Sequence, residues 1–160
     1  MRSSIVNSLL SQSLQRFERA LASHERKYTV TQVAGRYRRG RGRGAAEGRY
    51  LHERFWGDLS LVLSEKIAST PLPLAWRFRF GWLYGVADQV LFVEGLPREV
   101  VELKSYGGFR RFEVVQAALY GLLVEMNWGV RPRVKLSGCG RVVEIENWME
   151  EALQALEGLI

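Results

Sequence analysis

The sequence predicts an α/β protein with a single domain, in which helices flank one mixed sheet. Three observations lead there. Apolar residues recur at helical spacing at both ends of the chain and in the middle. The pattern changes to period two from Trp76 onward. Glycine-bearing turns, "EGLP" and "SGCG", join the strand-like runs. A chain of 160 residues has the length of one domain, and no internal repeat divides it. The expected order of elements is α-α-βββ-α-ββ-α.

From about Ser3 to His24, Leu10, Leu14, Phe17 and Leu21 form an apolar stripe, with Gln15, Arg16, Glu18 and Arg19 off it. After "YTVTQVAG" comes "RYRRGRGRG", Arg36 to Gly44, which has no apolar period and reads as a mobile basic loop. A second helix is expected from Ala45 to about Ala68, with Leu51, Phe55, Leu59, Val62 and Lys66 roughly along one stripe and "STPLP" as its stop. Trp76, Phe78 and Phe80 then alternate with Arg77 and Arg79. Further strands are expected over Gly85–Val93 and Arg98–Ser105, joined at "EGLP". A helix from Phe109 to Glu125, strands at Arg133–Leu136 and Arg141–Ile145, and a helix from Trp148 to Leu156 complete the chain.

Composition narrows the classes of function. A hydrophobic fraction of 47% and a charged fraction of 25% are those of a soluble globular protein. The net charge of +6 points to a polyanionic partner, nucleic acid first and an anionic membrane surface second. Only Lys27, Lys66, Lys104 and Lys135 are lysines among 23 basic residues; the others are arginines, suited to bidentate phosphate contacts. Cys139 stands alone, which excludes an intrachain disulfide, a cysteine-based zinc site and an iron–sulfur cluster. The N-terminus lacks a signal-peptide pattern, and no apolar run approaches the roughly 18 residues of a membrane span. The expectation is a soluble cytoplasmic protein without a membrane partner.

Asp88 interrupts the apolar strand "GVADQV", and the next strand carries Glu102 and Lys104 in "VVELKSYGG". Residues two apart on a strand share a face. A tight turn makes the two strands neighbours, so Asp88 and Glu102 can oppose each other across the ladder. Two facing carboxylates repel unless a cation lies between them, and hard oxygen ligands suit Mg²⁺ or Mn²⁺. Gln116 and Tyr120 lie one turn apart on the following helix, as do Gly48 and His52 on the preceding one. Taken singly, each has a plainer reading. Glu102 and Lys104 suit a solvated strand pair, Asp88 a turn carboxylate, His52 a core-edge histidine, and Gln116 with Tyr120 polar tips of a packed helix.

Jointly, "GRYLH", "GVAD", "ELK" and "QAALY" resemble the PD-(D/E)XK nuclease superfamily in its RecB-like branch. Gly48 and His52, Gly85 and Asp88, Glu102 and Lys104, then Gln116 and Tyr120 match its ordered motifs over roughly residues 45 to 136. The small CRISPR-associated RecB-like exonucleases are similar too, but this chain lacks the four cysteines of their iron–sulfur cluster. The resemblance implies a restriction-endonuclease-like core and a divalent-metal-dependent deoxyribonuclease, an exonuclease on single-stranded DNA or duplex ends. It implies His52, Asp88, Glu102 and the Leu103 carbonyl as metal ligands, Lys104 as the residue that orients or deprotonates water, and Gln116 and Tyr120 in support. Arg36, Tyr37, Arg38, Arg39, Arg41 and Arg43, with Arg110 and Arg111, are the candidate nucleic-acid contacts. A homo-oligomer would serve processivity. The alternative is a catalytically silent nucleic-acid-binding subunit on the same fold.

Overall fold

A computed structural model of the chain describes residues 2–37, 67–104, 110–138 and 140–159. In chain order the described elements are α1 (Arg2–Ala22), β1 (Lys27–Thr29), α2 (Val30–Ala34), a 3-10 turn (Gly35–Tyr37), β2 (Ile67–Phe78), β3 (Gly81–Val93), β4 (Leu96–Lys104), α3 (Arg111–Trp128), β5 (Arg133–Gly138), β6 (Arg141–Glu144) and α4 (Trp148–Glu157). The fold is α/β, with one mixed six-stranded sheet and helices against it. Among the described residues, no helix is long and apolar enough to cross a membrane.

The long strand β3 organises the sheet. Along one edge it pairs antiparallel with β2 over its whole length. Along the other it pairs with β1, parallel, at Trp82–Tyr84 and with β4, antiparallel, from Gln89 to Val93. β5 lies parallel to β4, and β6 closes that side antiparallel to β5. The β3–β4 turn is Glu94–Gly95, both with positive φ (53° and 84°), the conformation a two-residue hairpin needs. Parallel strands need a crossover, and α3 supplies it between β4 and β5.

Alternation divides the sheet into two faces. Leu72, Leu74, Leu83 and Ala87 join Val90, Phe92, Val100, Val134 and Leu136 in the main core, with α2, α3 and α4 packed over them. α3 is buried on nearly every side from Phe112 to Val124, as suits a helix apolar all round. Ala75, Trp82 and Tyr84 belong to a smaller cluster with Phe17 and Ala20 of α1.

Three expectations need correction. "STPLP" does not stop a helix: Ile67 and Ala68 already pair with Val93 and Phe92, and both prolines lie within β2. Proline is tolerated there because, among the described residues, β2 is an edge strand that pairs only with β3. The α1 stripe is also rotated. Ser13 and Ala20 are buried, whereas Leu14 and Leu21 are 45% and 48% exposed. The small side chains let α1 approach closely, and the Ser13 hydroxyl donates to the Pro73 carbonyl. Finally, "YTVTQVAG" holds β1 and the short α2, capped by Thr29, so the described order is α-β-α-βββ-α-ββ-α. The rest of the expected helix over 45–68 lies outside the described residues.

Candidate functional site

The β3–β4 ladder, which shifts register once between Leu91 and Phe92, ends at Gln89↔Val101, one step short of Asp88 and Glu102. On the opposite edge, Thr70 pairs with Val90 but Leu72 with Ala87, so Pro71 alone lies opposite both Asp88 and Gln89. That two-against-one arrangement is a β-bulge, a device that re-aims a strand residue. Beyond this point the carboxylates take over from the ladder. The Asp88 N–H donates to Glu102 Oε1 at 3.0 Å, and the Leu103 N–H donates to Asp88 Oδ2 at 2.7 Å. N–H and C=O of one extended residue share an edge, so the Leu103 carbonyl also faces β3.

Asp88 and Glu102 are therefore interlocked as well as adjacent, at 2% and 0% exposure. Burial, and then the charge of Asp88, push the Glu102 carboxyl well above its usual range, and Lys104 opposes them only in part. Among the described residues, Glu102 Oε2 is buried without a hydrogen-bond partner. Two buried carboxylates, one with an unsatisfied oxygen, form a donor set that fits a divalent cation. No group of three or more His, Cys, Asp or Glu able to hold a metal occurs among the described residues. His52, which would be the third, lies outside them, as do Gly48, Arg38, Arg39, Arg41 and Arg43.

Lys104 shares a strand face with Glu102 and donates to Gln116 Oε1 at 2.7 Å. Its ammonium also lies 5.9 Å from the centre of the Phe112 ring. The Tyr120 hydroxyl lies beside Gln116 and the Val86 backbone. Burial, then Glu102 and Asp88, push the Tyr120 phenol well above its ordinary value, so it remains a neutral hydroxyl. Gly85 makes room for it, since a Cβ there would lie 2.7 Å from the Tyr120 hydroxyl oxygen. Asp88, Glu102, Leu103, Lys104, Gln116 and Tyr120 are thus brought together.

The arginine and tyrosine candidates are distributed differently. Arg111 forms an ion pair with Glu151 at 3.0 Å, donates to Gln154 and stacks over the Tyr37 ring at 5.4 Å. Arg36 donates to the Gly158 carbonyl at 3.4 Å. These contacts tie α3, α4 and the 3-10 turn to one another. Arg110 is exposed at the entry to α3, where its N–H donates to the Glu113 carboxylate.

Two residues here escaped the sequence reading. Glu113 is fully buried three residues before Gln116, and the signal for it was its capping position in the first turn of α3. Gly138 lies beside Lys104 at the end of β5. Its only sequence signal was the "SGCG" turn, which gave no hint of close approach to another strand. No protein-family model matches the chain, and no curated protein matches it.

Proposed function

We propose that the chain is a divalent-metal-dependent deoxyribonuclease of the PD-(D/E)XK type, with a restriction-endonuclease-like core of the RecB-like branch. The observation that carries this reading is the interlocked, buried pair Asp88 and Glu102 with Lys104 beside it. A plain structural role fits poorly, because burying two facing carboxylates is costly unless a cation or proton offsets their charge.

Asp88 and Glu102 would hold Mg²⁺ or Mn²⁺, with the Leu103 carbonyl and His52 as further donors. The chemistry such an ion would supply there is polarisation of a scissile phosphate and activation of the attacking water. Lys104, which donates to Gln116 Oε1, would direct that water and offset charge growing on the phosphate. Bulge and hairpin fix the two carboxylates before substrate arrives, the preorganisation a hydrolytic site needs.

The basic tract supports DNA as the substrate. Tyr37, at its root, stacks against Arg111, the first residue of α3. Gln116 follows about 7.5 Å further along that helix. Tyr37 therefore lies at the end of α3 nearer the site, and the arginines that follow it in sequence are the proposed phosphate contacts, binding without reading sequence.

The test incubates purified protein with labelled linear and circular DNA in Mg²⁺, Mn²⁺ or EDTA. Metal-dependent cleavage is expected, with both Asp88→Ala and Lys104→Ala reducing it by about 10³-fold or more. Preference for linear substrate would mark an exonuclease. Binding without cleavage in any metal would leave the silent nucleic-acid-binding subunit in its place.

A further inference from the structure

The segment Glu102–Lys104 is held very differently on its two sides. Toward β3 the ladder ends at Gln89↔Val101, and beyond it the carboxylates of Glu102 and Asp88 accept from the Asp88 and Leu103 N–H groups. Toward β5 the register is unbroken: Glu102↔Leu136, Leu103↔Ser137, Lys104↔Gly138. At the last pair the strands approach so closely that a Cβ on Gly138 would lie 2.5 Å from the Lys104 carbonyl oxygen. It would also lie 3.2 Å from both the Lys104 carbonyl carbon and Cβ. These atoms are backbone or bonded directly to it, so no rotamer change relieves the overlap. Any side chain at 138 must therefore separate the ends of β4 and β5 and change how Lys104 is held between them.

We infer that β5 is the rail that positions Lys104, and that Gly138 is the positioning residue within it. Lys104 reaches Gln116 Oε1 at 2.7 Å from a strand end that pairs with β5 but, among the described residues, not with β3, so its place depends on β5. Gly138 has no side chain of its own to offer. What it contributes is the close approach that sets where the Lys104 backbone lies. The catalytic meaning of that placement rests on the nuclease reading, whereas the placement itself does not.

The chain has only four lysines, which makes a direct readout practical. The protein is reductively ¹³C-methylated, and each resonance is assigned by a Lys→Arg substitution. Gly138→Ala is expected to move the Lys104 resonance while those of Lys27 and Lys135 stay in place. Metal-dependent cleavage should lose on the order of tenfold to 100-fold in kcat, with KM for DNA within about twofold, as for a displaced catalytic group. Gly140→Ala is the control. It strains the same hairpin at φ 75° but has no atom within 4 Å of the added Cβ, and it should leave the Lys104 resonance unmoved. If Gly138→Ala does not fold, Ser137→Gly loosens the rail one residue earlier and should broaden the Lys104 resonance. A folded Gly138→Ala with the wild-type Lys104 resonance, or an equal displacement in Gly140→Ala, overturns the inference. If no metal supports cleavage, the nuclease reading fails, while the resonance still decides the question of the rail.

Discussion

At the scale of single residues, Glu102 governs how stability depends on pH. Burial and the neighbouring Asp88 raise its pKa in the folded state, so the native protein binds more protons than the unfolded chain above the ordinary glutamate range, about 4.3. Stability is full below that range and falls as pH rises toward the raised value. In EDTA, urea melts should therefore show wild-type stability declining from mildly acidic to neutral pH. Glu102→Gln, whose amide oxygen can still accept from the Asp88 N–H, should flatten the decline and gain about 1–3 kcal/mol at pH 7. Saturating Mn²⁺ should flatten it in the wild type, because the cation replaces the proton. Parallel slopes for the two proteins in EDTA would show that Glu102 is not the titrating group.

At the scale of elements, the sequence was legible where one local rule decides the outcome. The turn between Val93 and Leu96 brought β3 and β4 together, and the core spacing of α3 put Gln116 beside Lys104. It was illegible where a partner element decides. The prolines of β2 resemble a stop until the strand is known to be an edge. The leucines of α1 resemble a core stripe until the sheet is seen to receive Ser13 and Ala20 instead. The bulge at Asp88 shows only in the pairing of two strands, so the sequence brought the carboxylates near each other without disclosing their interlock. The α1 geometry has a measurable consequence. Leu14→Gln and Leu21→Gln should each change stability by less than about 0.5 kcal/mol in urea denaturation. Ala20→Leu should cost about 1–3 kcal/mol by overpacking. A larger loss at Leu14 than at Ala20 would mean that α1 packs through its leucines after all.

At the scale of the whole molecule, the net charge of +6 is weighted toward one stretch, with Arg36, Arg38, Arg39, Arg41 and Arg43 close together in sequence. The root of that stretch is fixed at Tyr37, against α3. Neutralising Arg38, Arg39, Arg41 and Arg43 to Gln should lower the slope of log affinity against log salt for single-stranded DNA by up to about 3. Metal binding, measured by calorimetry, should stay the same. An unchanged slope would make the tract a solvated loop and shift the phosphate contacts elsewhere.

The pairing of β5 with β4 also bears on how the molecule comes into being. Asp88 and Glu102 meet across a two-residue turn, which closes early and at little entropic cost. Lys104 receives its rail only after α3 has carried the chain across the sheet and returned it at Arg133. A nascent chain therefore assembles its paired carboxylates first and fixes its lysine among the last events of folding. A ribosome-bound fragment ending before Gly138 would carry the acidic pair with Lys104 still unguided on that side.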